Sequence, residues 1–190
     1  MGNKVVAVEP FHDNILRIHK ASQMEKTFDR ITLIKNAVSN KRNEVKMLGN
    51  VKVNIGGQSL YGNRNKIFEK NSTNKYLVET ILFDDIVTYL PYKNLKTNEK
   101  YKQAILKIDI ESFEIFAFES ASLLFATLDI RYVFMEWGHI KRQVEEYEHK
   151  IIAMIDFFYE RDYEPFGDDN ILLERKNWKT WTFDILWRKI

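Results

Sequence analysis

Two carboxylates one residue apart, Asp109 and Glu111, close an apolar run that reads Ile-Leu-Lys-Ile-Asp-Ile-Glu over residues 105–111. In open α/β sheets, ligands sit outside the carboxyl ends of the strands, so these two side chains are candidates for a site. Residues i and i+2 of a strand face the same side, and both carboxylates are expected to converge on one hydroxyl or one cation. A carboxylate so placed can take the proton of an attacking oxygen. A second strand-like run, Lys4 to Val8, ends in Glu9-Pro10, and the two ends together suggest a nucleotide-like cofactor over a sheet edge. A third run, Arg131 to Glu136, also ends in a carboxylate, with Trp137, Gly138 and His139 just beyond it. Glu136 and His139 are candidates for a base or a metal ligand, because imidazole ordinarily exchanges its proton near neutrality and also ligates metals.

The elements that must carry these ends follow from periodicity. Val5 to Val8 reads as a strand, Pro10 as a turn, and Asp13 as the N-cap of a helix bearing Ile15, Leu16 and Ile18. Ile31 to Ile34 makes the next strand, ending at Asn36-Ala37-Val38-Ser39. Val45 to Leu48 and Val51 to Ile55, split by Gly49-Asn50, predict a hairpin. Tyr61 to Tyr76 is polar and reads as a loop. Leu77 to Leu82 predicts a strand, and Asp84-Asp85 starts a short helix that Pro91 stops. Phe113, Phe116, Ala117, Ala121 and Leu124 recur at helical spacing, as do Val144, Tyr147, Ile151, Met154, Ile155 and Phe158. Pro165-Phe166-Gly167 breaks the chain before Ile171 to Glu174, which is expected to pair antiparallel with Thr180 to Trp187. The alternation predicts a three-layer α/β sandwich on a mostly parallel sheet, closed by a C-terminal antiparallel hairpin, in a single domain over residues 1–190.

Composition narrows the function classes. With 45% hydrophobic and 14% aromatic residues, 190 residues can bury a substantial core. The 29 basic and 27 acidic residues leave a net charge of +2, too small and too scattered to imply nucleic acid. Cysteine is absent, which excludes disulfides, thiolate catalysis and zinc-thiolate sites. No run approaches the ~18 apolar residues of a spanning helix, and the first residues lack a signal-peptide pattern, so a soluble, by default cytoplasmic, protein is expected. The triplet Asn71-Ser72-Thr73 matches a glycosylation acceptor and carries little weight without an entry signal. His12, His19 and His149 show neither pairing nor useful spacing, so no metal site is assigned, and an oxygen-type magnesium site at Asp109 has no supporting motif.

Taken in order, several motifs resemble the FkbM family of S-adenosylmethionine-dependent methyltransferases. Val-Val-Ala-Val-Glu-Pro (5–10) is similar to that family's second-strand motif, and Asn-Ala-Val-Ser (36–39) to its third-strand end. Gly-Gly-Gln-Ser (56–59), Glu-Thr-Ile-Leu-Phe-Asp-Asp (79–85) and Leu-Lys-Ile-Asp-Ile-Glu (106–111) follow in the family's sequence. The resemblance implies a Rossmann-like class I methyltransferase fold. Two departures stand out. Ser112 replaces the glycine that usually follows the Asp-x-Glu motif, and the glycine-rich first-strand motif that contacts the amino-acid end of the donor is missing. The chain is therefore expected to be N-terminally truncated, with its first strand and helix absent.

By that resemblance, Glu9, next to Pro10, would accept the ribose hydroxyls of S-adenosylmethionine, and Asn36 and Ala37 would border its adenine. Asp85 would be a further donor or substrate contact, or simply a helix cap. Asp109, Glu111 and His139 would stand where the acceptor meets the sulfonium; capping for Glu111 and a surface position for His139 are the plain alternatives. Lys107 is expected to pair with a neighbouring carboxylate. Trp178, Trp181 and Trp187 are expected to pack the core rather than line a pocket. The function implied is methylation of a hydroxyl on a sugar, glycan or small metabolite, with oligomeric state open. The alternative is a non-catalytic protein or binding module that keeps the fold. A nicotinamide-type oxidoreductase ranks last, since no Gly-x-Gly-x-x-Gly precedes Glu9.

Overall fold

The computed structural model describes residues 3–49, 57–60, 65–70, 73–91, 93 and 100–190. The expected strand at Val51 to Ile55, Gly56, Asn71-Ser72 and most of the connection after Pro91 lie outside the described residues. The chain gathers into two compact units, residues 1–101 and 102–190.

In the first unit, β1 (Val5–Val8) pairs in parallel with β2 (Ile31–Ile34), in register from Val5↔Ile31 to Val8↔Ile34. The helix α1 (His12–Met24) connects them, as a parallel pair requires a crossover. Its N-cap is Phe11 rather than the expected Asp13, which sits in the first turn and pairs with Lys75 at 2.6 Å. Phe11 is buried and stacks on Tyr76 at 5.3 Å, so packing rather than a polar cap sets the helix start, ahead of the expected Asp13. Beyond β2 the chain forms β3 (Ala37–Ser39), which pairs in parallel with β5 (Leu77–Leu82). The strand β4 (Val45–Met47) lies antiparallel on the other side of β5. The segment Phe83–Tyr89 is a 3-10 helix that ends before Pro91, as the sequence predicts for a short helix there.

In the second unit the strand order is β6 (Gln103–Ile108), β7 (Asp129–Glu136), β9 (Asp184–Lys189), β8 (Tyr163–Phe166). The β6–β7 pair is parallel and both pairs involving β9 are antiparallel. Across both units the described strand pairings are parallel and antiparallel in equal number, against the expectation of a mostly parallel sheet. Ile130, Val133 and Met135 of β7 are buried, whereas Tyr132 and Phe134 are exposed. The helix α5 (Val144–Tyr159) carries the predicted apolar stripe, with Ile151, Met154, Ile155 and Phe158 buried. Phe158 stacks on Trp187 at 4.4 Å, an aromatic contact of about 0.5–1.5 kcal/mol beyond area burial. Trp178, Trp181 and Trp187 are all buried, in the packing role expected of them.

Two further expectations give way to packing. The helix expected from Phe113 to Leu124 is broken into α2 (Glu114–Ala117), a 3-10 turn at Phe118–Ser120, and α3 (Ser122–Thr127). Every residue from Phe113 to Phe118 is buried, so this stretch has no solvent stripe to hold one long helix on the surface. The strand expected at Ile171 to Glu174 is only a bridge, Phe166↔Leu172, and the partner of β9 is β8, which contains Pro165. Because β8 is an edge strand, the missing proline N–H breaks no inner ladder. Among the described residues, no helix is long and apolar enough to cross a membrane.

Candidate functional site

Parallel pairing sets the stage in the second unit. Ile108 stands opposite Met135, so β6 and β7 end level, and the residues that follow each strand emerge at one edge. β6 stops at Ile108, so Asp109 and Glu111 lie past the ladder, and the i, i+2 strand argument for their sharing a face does not apply. Glu111 and Ser112 both take left-handed backbone, with φ of 55° and 75°. A non-glycine residue in that region is crowded by its own Cβ, at a cost of about 1–2 kcal/mol each. The backbone at Ser112 thus keeps the conformation that glycine favours, although the side chain is serine. Gln143, itself buried, donates from Nε2 to the Ser112 carbonyl at 2.6 Å and helps hold the turn.

This turn sends the two carboxylates to different partners. Asp109 Oδ2 accepts from Lys107 Nζ at 3.1 Å, the pairing expected for that lysine. Glu111 Oε2 lies 3.2 Å from His139 Nδ1, and Glu136 Oε2 lies 3.2 Å from the same nitrogen. Glu136 is the last residue of β7, and His139 belongs to the short helix α4 (Trp137–Lys141) that follows directly. Neither is a plain surface residue: the three side chains are only 18–24% exposed. The start of α4 is fixed by the Phe183 carbonyl, which accepts from the backbone N–H groups of Trp137 (2.6 Å) and Gly138 (2.9 Å). The Phe183 ring then meets His139 edge-on at 5.5 Å. A Cβ at Gly138 would overlap that ring, so glycine is what allows the approach. Burial pushes the Glu136 carboxyl up, the charge of His139 opposes this, and those of Asp109, Glu111 and Asp184 reinforce it.

One functional candidate escaped the sequence reading. Glu114 opens α2 with its side chain in the core, 1% exposed, and Oε1 accepts the Ile110 backbone N–H at 2.9 Å. Its Oε2 has no hydrogen-bond partner. Burial, followed by the charges of Asp109 and Glu136, raises its pKa to about 7 against the bonds from Ile110 and its own backbone. The signal was a lone acid in the run Phe-Glu-Ile-Phe-Ala-Phe (113–118), where a carboxylate is costly to bury.

In the first unit, Glu9 follows β1 at the same edge as the end of β2, its backbone N–H bonded to the Ile34 carbonyl at 3.0 Å. Glu9 Oε1 accepts the Phe11 N–H at 2.7 Å, across Pro10. Asn36 and Ala37 sit where the chain passes from β2 to β3; Asn36 Nδ2 donates to the Glu79 carbonyl at 3.0 Å, and Ala37 is buried. Asp85 is engaged twice, by the Leu82 N–H at 3.0 Å and by an ion pair with Arg42. That arrangement caps the 3-10 helix, and the Arg42 guanidinium, with the Leu82 bond, holds the Asp85 carboxyl below the usual carboxylate range despite some desolvation.

The geometry can be set beside known families. Residues 1–165 match the family model described as the methyltransferase FkbM domain. No curated protein and no solved structure matches the chain.

Proposed function

Because the chain belongs to the FkbM methyltransferase family, we propose that it transfers a methyl group from S-adenosylmethionine to a hydroxyl of a sugar or other small metabolite. Family membership makes it an S-adenosylmethionine-dependent methyltransferase in general terms; the hydroxyl acceptor and the residue roles are our reading. The observation that carries the reading is the polar edge at the ends of β6 and β7, where Asp109 and Glu111 follow β6, Glu136 closes β7 and His139 follows it.

The residues of the first unit fit the donor by their chemistry. Glu9 is half-buried, and with Oε1 held by Phe11 it keeps Oε2 as an acceptor suited to ribose hydroxyls. Pro10 keeps this turn rigid. Asn36 keeps an acceptor, Oδ1, once Nδ2 is on Glu79, and the small side chain of Ala37 follows it at the start of β3. Asp85 enters this reading as a residue that caps and positions, since both of its oxygens are engaged within the unit.

The chemistry supplied by the bound donor is an electrophilic methyl group on a sulfonium. An alcohol is a weak nucleophile, so the protein must remove the hydroxyl proton as the oxygen attacks. Asp109 is assigned that role: Lys107 occupies Oδ2 and leaves Oδ1 to accept the proton. Glu111 and His139 orient the acceptor oxygen, which places the reacting atoms without a bimolecular search.

Calorimetric titration of S-adenosylhomocysteine into the purified chain tests the donor side. Saturable binding that is lost in Glu9→Ala is the expected result. With labelled donor and a panel of glycan and small hydroxyl acceptors, Asp109→Asn is expected to slow transfer by about 10²–10⁴-fold while binding persists. A folded chain that binds no S-adenosylhomocysteine would instead favour a non-catalytic role, and undiminished transfer by Asp109→Asn would remove Asp109 as the base.

A further inference from the structure

The cluster of Glu111, Glu136 and His139 has more ligand character than proton transfer needs. Two carboxylate oxygens stand 3.2 Å from one imidazole nitrogen, and all three candidate ligand atoms lie within 4.8 Å of one another. Atoms that each bind one ion at about 2.1 Å stand roughly 3.0–3.4 Å apart at octahedral to tetrahedral angles, so the two His139 separations already match. A single Nδ1–H proton, by contrast, cannot make two good bonds at once. The surroundings also carry excess negative charge. Asp109, Glu111 and Asp184 act on Glu136 as like charges, opposed by the charge of His139. Glu114 adds a second, separate observation: it is almost wholly buried, its Oε2 has no hydrogen-bond partner, and Asp109 and Glu136 are the charges that act on it. A cation held by Glu136 would offset the like charges that reach Glu114.

We propose that Glu111, Glu136 and His139 bind one divalent first-row transition ion of the Mn²⁺ or Zn²⁺ class. One imidazole nitrogen with two carboxylate oxygens favours such ions over purely oxygen-seeking Mg²⁺ or Ca²⁺. Three protein ligands leave coordination positions open to an oxygen-bearing molecule. Resting on the transfer reading, these positions would take the acceptor, which favours substrates with adjacent oxygens able to chelate. Asp109, paired with Lys107, stays outside the ligand set and keeps its role as base.

The site is tested with untagged full chain titrated by MnCl₂, followed by calorimetry and by loss of the free-ion paramagnetic signal, and then by ZnCl₂. The expected result is saturable binding of one ion per chain. Outer-shell changes alone typically weaken metal sites by about 10–100-fold, so Glu136→Gln and His139→Gln should each weaken binding by at least about 100-fold. Glu174→Gln, which alters an exposed carboxylate paired with Lys176, should leave it unchanged. Absence of saturable binding in the unsubstituted chain overturns the site without reference to any variant. Binding that survives both Glu136→Gln and His139→Gln, in variants whose near-ultraviolet circular dichroism is native, overturns it as well. Donor binding is read separately through Glu9, so failure of the ion site alone leaves the transfer reading standing.

Discussion

Glu114 carries a carboxyl into the core with one oxygen bonded to Ile110 and the other unpartnered, which makes folding sensitive to its protonation. Its pKa moves from an ordinary 4.5 to about 7 on folding. Below pH 4.5 both the folded and unfolded chains hold the proton, and the residue exacts no charge penalty. Between 4.5 and about 7 the unfolded chain releases the proton while the folded one keeps it, so stability falls as pH rises; above about 7 the loss is complete. The full effect is about 3 kcal/mol. Glu114→Gln keeps an oxygen for Ile110 and cannot ionise. Urea denaturation is therefore expected to show the variant gaining on the native chain by up to about 3 kcal/mol between pH 4.5 and pH 8. Parallel stability profiles for the two proteins across that interval would show that the carboxyl is not held in this way.

At the level of elements, the sequence was most legible where burial is periodic or continuous. Ile31 to Ile34 and Leu77 to Leu82 are strands within the residues read from their apolar runs, and α5 follows its stripe. It was least legible where packing overrides local signals. Pro165 reads as a breaker but sits in an edge strand, and the all-buried run after Phe113 turns in short pieces where spacing alone suggested one helix. The site shows the same division. The strand ends at Glu9, Asp109 and Glu136 were visible, whereas the meeting of Glu111 with His139 depends on two left-handed residues and on a ring that only a glycine admits. That last dependence can be tested. In Gly138→Ala the Phe183 ring must swing away, because the Phe183 carbonyl remains tied to the N–H groups of Trp137 and Gly138. Overpacking of this kind typically costs about 1–3 kcal/mol. The variant should lose stability in that range, and the His139 ring resonances should shift as their aromatic neighbour leaves. Unchanged resonances would mean that Phe183 does not set the position of His139.

Across the whole chain, the candidate residues divide between the two compact units. Glu9, Asn36, Ala37 and Asp85 belong to residues 1–101, and Asp109, Glu111, Glu114, Glu136 and His139 to residues 102–190. The first group offers a carboxylate and an amide suited to a ribose and a flat ring, while the second offers carboxylates and an imidazole suited to an ion and a hydroxyl. On the proposed assignments, two different ligands leave separate footprints on one protein. Hydrogen exchange follows opening of each segment, and a ligand slows it where it binds the closed form. S-adenosylhomocysteine is expected to slow exchange around residues 9–11 and 36–38, and Mn²⁺ around residues 109–114 and 136–140. The turn at Glu111-Ser112 is the most sensitive reporter for the ion, since its strained backbone is held largely by Gln143 and by the partners of Glu111. All four tryptophans lie in the second unit, so their fluorescence provides an independent readout of the ion and should respond to it in the native chain but not in His139→Gln. Protection by Mn²⁺ confined to exposed acidic segments such as 168–170, with none at the strand ends, would assign the ion to the surface and return Glu111, Glu136 and His139 to hydrogen bonding alone.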